Sequence, residues 1–144
     1  MFDTIQESEL FKGVGQRVMS EINTNSEEVT YRTNSIIFNA DDEAQYIYEL
    51  IEGSVDILMP EKDVVHLTAT ETGQILGWSA LVEPYVYTAT AKCASDTKVI
   101  RISKNSIESA IKRHPEEGLA ILQHLTGIIA RRLRKAYKYI QHHG

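Results

Sequence analysis

The chain of 144 residues has one cysteine, three prolines and no apolar run long enough to cross a membrane. The lone Cys93 excludes an intramolecular disulfide framework and a Cys-x-x-Cys metal site. The N-terminal residues MFDTIQESELF lack the basic and apolar regions of a secretory signal. No Gly-x-Ser-x-Gly elbow, His-Glu-x-x-His pair or phosphate-binding loop indicates an enzyme class. We therefore expect one cytoplasmic, non-enzymatic domain over residues 1–144, with no metal site.

Acidic residues are absent from the last part of the chain. All twenty lie within residues 1–117 beside ten basic residues, which gives this part a charge of −10. Residues 118–144 contain five basic residues and no acidic one. Such a cluster can bind nucleic acid, but on a helix it also opposes the negative end of the helix dipole. We prefer the second interpretation because the acidic body would repel phosphates.

The hydrophobic periodicity changes twice along the chain. Helical spacing predicts short helices in residues 1–26, and alternation predicts strands between residues 27 and 102. Glu52-Gly53-Ser54 is a turn signal between two apolar runs and predicts a hairpin. The later strands are predicted at Val64–Leu67, Val86–Cys93 and Lys98–Ile102. Short strands separated by turns favour a sandwich or jelly roll over a sheet with crossover helices.

Helical periodicity returns in residues 103–141. Ser103 is a suitable N-cap for a helix that stops before Pro115. Pro115 then begins a second helix, which we expect to run to about Gln141. Spacings of three and four residues place one apolar stripe on this helix. The stripe consists of Leu122, Leu125, Ile129, Leu133, Ala136 and Ile140.

The segment from Gly73 to Ala91 contains the most specific pattern in the sequence. Gly77 permits an unusual backbone angle or the close approach of a ligand. Ser79–Val82 is predicted to form one helical turn, which Pro84 ends. A short helix after a glycine presents unpaired N–H groups, and such groups often receive anions. Taken alone, the segment is also compatible with a simple strand–turn–strand corner.

The order of these patterns resembles the cyclic-nucleotide-binding domain of the catabolite-activator superfamily. The residues that carry the resemblance are Gly53 in its turn, Gly73-Gln74-x-x-Gly77-x-x-Ala80-Leu81, Thr88-Ala89-Thr90 and Ile129-Ala130-Arg131-Arg132-Leu133. The resemblance implies a mainly β fold, a double-stranded β-helix (jelly-roll) barrel with short N-terminal helices and a long C-terminal helix. It also implies a regulatory module that forms a homodimer through the apolar stripe of that long helix.

Two positions depart from the pattern of this family. Its cassette reads Gly-Glu-x-Ala-Leu and ends in Arg-(Ser/Thr/Ala)-Ala, where the Glu accepts the ribose 2′-hydroxyl and the Arg pairs with the cyclic phosphate. Trp78 stands at the Glu position and Tyr87 at the Arg position. Removing one partner of a buried charge pair costs about 2–5 kcal/mol. We therefore do not expect tight binding of cyclic AMP, and we expect no cofactor.

The sequence is compatible with more than one interpretation of what such a cassette binds. The aromatic residues Trp78, Tyr85 and Tyr87 can line a pocket for a flat ligand, or they can collapse inward and close it. The domain is then either a sensor of a small molecule other than cyclic AMP or a degenerate, ligand-independent interaction domain. Genuine cyclic nucleotide binding is a further alternative. The candidate ligand-binding residues are Gly77, Trp78, Ser79, Ala80, Leu81, Tyr87, Thr88, Ala89, Arg132 and Tyr137.

Other partners suggested by the resemblance find little support in the sequence. A haem-sensing branch of the superfamily makes His66 and Cys93 candidate axial ligands, but the signature of a haem site is absent. Transcriptional regulators of the superfamily carry a helix-turn-helix after the long helix, for which this sequence leaves no room. We therefore expect no direct DNA binding and no membrane contact, and we expect any effect on DNA to need a separate effector protein.

Overall fold

The fold is known from a computed structural model that describes residues 8–59 and 65–143, without the side chains of His66 and residues 139–143. The elements in chain order are α1 Gln16–Asn23, β1 Ser26–Tyr31, β2 Ile36–Phe38, β3 Tyr46–Glu52, β4 Val55–Leu58, β5 Val65–Ala69, β6 Ile75–Leu76, a 3-10 helix Trp78–Leu81, β7 Thr90–Cys93, β8 Thr97–Ser103, α2 Lys104–Arg113 and α3 Pro115–His143. This mainly β architecture with flanking helices confirms the predicted fold class. No helix in the described ranges is long and apolar enough to cross a membrane.

In the part of the chain that the structure describes, eight strands form two antiparallel four-stranded sheets. Their orders are β1-β8-β3-β6 and β2-β7-β4-β5. In β3 the four consecutive residues Ile47–Leu50 are all buried, which departs from the alternation of a strand with one wet face. The apolar side chains of the two sheets and of the three helices belong to a single core cluster. Both faces of the first sheet are therefore covered at β3, whereas Glu27, Glu28 and Thr30 of β1 are exposed.

The hairpin predicted at Glu52-Gly53-Ser54 is wrong. β3 pairs with β6 and β8, whereas β4 pairs with β5 and β7 in the other sheet. The turn therefore passes from one sheet to the other. At Gly53, where φ is +106°, an added Cβ would lie 2.5 Å from the Asp96 carbonyl oxygen. The glycine signal marked a sharp turn, but burial of the apolar faces decided which strands pair.

Two strand predictions also need new boundaries. The first comprises residues 65–69, and residue 64 lies outside the described residues. The second comprises only Thr90–Cys93. The preceding residues pair with a loop: Tyr87 N–H donates to the Asp42 carbonyl (3.0 Å), and Asp41 N–H donates to the Tyr87 carbonyl (2.8 Å). This segment is held by hydrogen bonds, but its neighbour is a loop and not a sheet strand.

The C-terminal helices agree with their sequence signals. The Ser103 side chain accepts a hydrogen bond from Asn105 N–H at 3.2 Å, which confirms Ser103 as the N-cap of α2. Helix α2 ends at Arg113, and α3 begins at Pro115, as predicted. Helix α3 runs to residue 143, two residues beyond the expected end.

The N-terminal segment, residues 8–15, runs antiparallel along α3. Gly15 N–H donates to the Glu117 carboxylate at 2.7 Å near the start of that helix. Further along, the His124 Nδ1 bonds to the Leu10 carbonyl at 2.9 Å. Leu10 itself is fully buried. These contacts make the N-terminal segment and α3 one packed unit against the barrel.

Candidate functional site

The cassette begins at a glycine with a left-handed backbone. Gly77 has φ +78° and ψ +33°, and the 3-10 helix follows it directly. The predicted unusual angle at Gly77 and the helical turn after it are therefore confirmed, with the turn starting one residue earlier than expected. An added Cβ at Gly77 would lie 3.0 Å from Tyr87 Cε1 and 3.2 Å from the Tyr46 carbonyl oxygen. Glycine at this position lets the Tyr87 ring lie against the cassette backbone.

Tyr87 fills the space beside the cassette. Its side chain is 4% exposed, and its ring stacks on Phe38 with the centroids 4.0 Å apart and an interplanar angle of 18°. The Tyr87 hydroxyl donates to the Tyr46 carbonyl at 2.8 Å. Burial raises the pKa of Tyr87, so its hydroxyl is a neutral group. The position that carries a cation in the family pattern thus holds a packed, hydrogen-bonded aromatic ring.

The space left in the cassette is a cavity of about 30 Å³. A water molecule takes about 30 Å³ of liquid, whereas sites for drug-sized ligands comprise about 300–1,000 Å³. The lining residues are Phe38, Ile57, Gly77, Trp78, Ser79, Tyr87, Thr88, Ala89 and Arg132. The cavity has room for a water molecule and none for a nucleotide.

The structure brings together seven of the ten candidate ligand-binding residues. Ala80 is fully buried and Leu81 packs against the core, so both support the cassette from outside the cavity lining. Tyr137 is 61% exposed on α3 and does not line the cavity either. Tyr85 does not line this space, and its ring lies under Lys104, whose Nζ is 3.9 Å from the ring centroid.

A side-chain clamp holds the free edge of the cassette strand β6. On its paired edge, Gln74 and Gly73 bond to Leu50 of β3. On the free edge, Ile75 N–H donates to Glu9 Oε2 at 2.7 Å, and Arg132 Nη2 donates to the Ile75 carbonyl at 2.7 Å. These two side chains satisfy the backbone groups that a neighbouring strand would otherwise pair.

The two ends of this clamp also attract each other. Arg132 Nη2 lies 3.9 Å from Glu9 Oε2, and the Arg132 side chain is 15% exposed. Burial lowers the pKa of Arg132, while the nearby Glu9 carboxylate opposes that shift. Arg132 was expected near the cassette, but Glu9 was missed. It is separated from Ile75 by 66 residues, and nothing in its local sequence indicates this contact.

Helix α3 has two apolar faces. Ile121, Leu125 and Ile128 are at most 5% exposed and belong to the core of the same chain. Leu122 and Leu133, in contrast, are 41% and 50% exposed. The exposed face also includes Leu119 and Tyr137, at 58% and 61%.

The predicted stripe is therefore divided between these two faces. Leu125 packs inside the chain, and Ile129 is partly buried against the core. Ala136 is half-buried, and the side chain of Ile140 lies outside the described residues. Among the described side chains of the stripe, Leu122 and Leu133 are the large apolar ones that reach the solvent.

Of the two haem candidates, only Cys93 has a described side chain. Cys93 is fully buried, and burial raises the pKa of its thiol. The side chain of His66 lies outside the described residues. Among the described residues, no group of three or more His, Cys, Asp or Glu could hold a metal ion.

The jelly roll, the glycine-led cassette and the long covering helix together define a regulatory cyclic-nucleotide-binding fold. The family model described as "Cyclic nucleotide-binding domain" matches residues 28–114, more than half of the chain. The chain belongs to this family. The resemblance seen in the sequence is thereby confirmed.

Relatives and solved structures agree with this assignment. The chain is 29% identical over 113 residues to the cAMP-activated global transcriptional regulator CRP of Pasteurella multocida, covering 76% of this chain and 52% of that protein. It is 26% identical over 126 residues to the potassium channel KAT3 of Oryza sativa subsp. japonica, covering 86% of this chain and 25% of the channel. The chain thus spans about half or less of the curated relatives it matches.

Two solved structures share the fold at low sequence identity. One is a putative cyclic nucleotide-binding protein from Geobacter metallireducens, with a TM-score of 0.79, 23% identity and coverage of 91% of this chain and 96% of the other. The second is the sensor domain of the transcriptional regulator DNR from Pseudomonas aeruginosa, with a TM-score of 0.75, 20% identity and coverage of 87% and 90%.

Proposed function

We propose that the chain is a non-catalytic regulatory domain whose cassette is closed by its own side chains and whose output is ligand-independent self-association through α3. The observation that carries this proposal is the position of Tyr87, stacked on Phe38 beside a cavity of about 30 Å³. A cyclic nucleotide would need to displace this ring before it could occupy the cassette.

Displacing Tyr87 has an energetic cost that this cassette does not offset. The stacked pair and the hydroxyl hydrogen bond each contribute about 0.5–1.5 kcal/mol. The entering phosphate would find no arginine at position 87, and the Arg132 guanidinium is already bonded to the Ile75 carbonyl. Trp78 offers no carboxylate to a ribose hydroxyl. Cyclic AMP is therefore a poor ligand for this site.

The exposed face of α3 is the proposed contact between two copies. Leu119, Leu122, Leu133 and Tyr137 lie at helical spacing and are each at least 41% exposed. An exposed apolar face on a helix is typical of interaction sites. Arg134 lies beside it, so two parallel copies would turn this charge outward or toward the acidic barrels. A separate effector protein could use the same face.

A second candidate function is sensing of a small ligand other than cyclic AMP in the cassette. Arg132 favours this candidate because it brings a mostly buried cation to the cavity lined by Ser79 and Thr88. On this hypothesis, the ligand would have to prefer one arrangement of α3 over another. Its entry would also require Tyr87 to move.

Sedimentation of the ligand-free chain tests the proposal. We expect a dimer for the unmodified chain and a monomer for Leu133→Asp, because an aspartate would place charge in the apolar contact. The matched control is Ile36→Asp, which changes an apolar residue of 41% exposure on β2 and should leave the dimer intact. Calorimetric titration with cyclic AMP and cyclic GMP should give no binding heat. A monomer that associates only with an added nucleotide would overturn the proposal.

A further inference from the structure

A second, larger opening lies on the other side of the Glu9–Arg132 clamp. It is a groove of about 920 Å³ between the N-terminal segment, the turn before β6 and helix α3. Its volume lies within the range of small-molecule sites, about 300–1,000 Å³. The lining residues are Ser8, Glu9, Lys12, Glu71, Thr72, Gly73, Gln74, Gln123, His124, Gly127, Arg131 and Lys135.

Basic side chains outnumber acidic ones in the lining of this groove, with Lys12, Arg131 and Lys135 against Glu9 and Glu71. Lys12 and Lys135 are exposed, and within the described ranges neither ammonium takes part in a hydrogen bond or an ion pair. Arg131 is 62% exposed, and among the described residues its guanidinium pairs with Glu9 Oε1 at 3.2 Å. The Glu9 carboxylate is already occupied by Ile75 N–H, Arg131 and Arg132. These cations stand out in a chain whose net charge is −5.

The side-chain amide of Gln74 adds a hydrogen-bond donor to the groove. The side-chain oxygen of Gln74 accepts from Thr70 N–H and Glu71 N–H, both at 2.9 Å, which leaves its NH₂ end as the outward group. His124 Nδ1–H donates to the Leu10 carbonyl at 2.9 Å, so Nε2 of the neutral ring is an acceptor and adds no donor to the groove. Glu71 is the one further carboxylate among the lining residues.

The floor of the groove is kept open by a glycine in α3. A Cβ added at Gly127 would lie 3.3 Å from Arg131 Nη1, with no other described atom within 4 Å apart from the neighbouring residues and the local helix backbone. The missing side chain leaves the guanidinium lying over the helix backbone at the edge of the opening. A planar guanidinium in such a position binds phosphate oxygens through paired N–H donors.

From this arrangement we infer that the groove binds a small phosphorylated metabolite with at least two adjacent phosphate groups. Lys12, Arg131 and Lys135 would share its negative charge, since three cations exceed what a single phosphate requires. This site is distinct from the cassette and does not depend on whether the cassette binds a ligand. A bound anion would compete with Glu9 for Arg131 and so act on the clamp that joins β6 to α3.

Calorimetric titration with inorganic pyrophosphate and with ATP, at low and at physiological salt, tests the inference. We expect both compounds to bind and orthophosphate to bind at least tenfold more weakly. The pair Lys12→Gln/Lys135→Gln should lower pyrophosphate affinity at least tenfold. Both lysines are exposed, so folding should be unaffected, which thermal unfolding would verify. If ATP binds while pyrophosphate does not, recognition of the base replaces recognition of the phosphates and the inference is wrong.

The matched control removes the same charge elsewhere. Lys112→Gln/Arg113→Gln changes two exposed basic residues at the end of α2, and pyrophosphate affinity should remain unchanged. An equal loss in both double variants would indicate non-specific charge attraction and overturn the inference. The absence of pyrophosphate and ATP binding in the unmodified chain would do the same. Neither outcome affects the proposed self-association, which the sedimentation experiment measures without these variants.

Discussion

The cassette and the groove border the same helix and the same clamp, yet they differ in almost every physical property. The cassette cavity comprises about 30 Å³, with the buried Tyr87 ring stacked beside it. The groove comprises about 920 Å³, and its lining is rich in exposed donors. Arg132 faces the first space and its neighbour Arg131 the second. Adjacent residues on one helix therefore serve one closed and one open site.

A site can keep the backbone motif of its family without keeping space for a ligand. Gly77 and the 3-10 helix keep the shape of the cassette, but Tyr87 occupies the volume beside them. The groove has no family motif and yet has the volume of a binding site, and Lys12 and Lys135 in its lining have no ion-pair partner among the described residues. A backbone shape can persist where the side chains that used it have been replaced. Binding must accordingly be judged from volume and free donors.

The largest expected effect comes from removing the Tyr87 ring beside the cassette cavity. Tyr87→Ala removes a ring that stacks on Phe38 and a hydroxyl that bonds to the Tyr46 carbonyl. We expect the free energy of unfolding to fall by about 3–5 kcal/mol, as for other large-to-alanine changes in cores. Urea unfolding measures it. Tyr85→Ala, which removes a half-buried ring over Lys104, should cost about 1 kcal/mol. Equal losses would mean that Tyr87 does not fill the cassette.

A smaller effect is expected from cutting the clamp between the two sites. Arg132→Met keeps most of the side-chain length but leaves the Ile75 carbonyl without its donor. This change should cost about 1–3 kcal/mol and speed hydrogen exchange at the β6 amides. The control Arg134→Met changes an exposed residue two positions away and should stay within about 0.5 kcal/mol. Unchanged exchange in Arg132→Met would show that the clamp does not hold β6.

The smallest effect is expected at Gly127 in the floor of the groove, and a second glycine of α3, Gly118, serves as the comparison. Gly127→Ala should raise the free energy of unfolding by about 0.5–1 kcal/mol, because alanine favours a helix and the only close atom is a movable guanidinium nitrogen. Gly118→Ala should lower it by about 1–3 kcal/mol, because the new Cβ would lie 2.9 Å from the Ile111 carbonyl oxygen. Thermal or urea unfolding measures both. A loss at Gly127 would show that the groove floor is tighter than the structure has it.

Local signals explain which parts of the fold could be predicted. Ser103 and Pro115 act on the nearest backbone turns, and both helix starts were predicted correctly. Gly77 likewise has the positive φ that its place in the sequence indicated. The turn at Gly53 was predicted, but its two strands belong to different sheets. A turn residue reports a change of direction, whereas strand pairing depends on residues far away in the sequence.

The candidate site likewise combines residues that local sequence signals predict with contacts that depend on distant parts of the chain. Seven candidate residues meet around the cassette because the motif that names them is contiguous or lies on the helix that covers it. Glu9 was missed because its contact with Ile75 joins distant parts of the chain. Leu125 and Leu122 share a predicted stripe, but one faces the barrel and the other faces solvent. Spacing on a helix defines a face and does not say what covers it.

The sequence by itself determined the family, the order of the elements and the unusual backbone angle at Gly77, and it has Trp78 and Tyr87 where the family pattern has Glu and Arg. These features follow from residue types and short spacings, whose physical effects are local. Only the tertiary structure decided that Tyr87 lies within the cassette, that Glu9 and Arg132 close the edge of β6, and that a cationic groove lies beside them. Free volume and charge pairing depend on which distant side chains meet, and that is settled only when the whole chain packs.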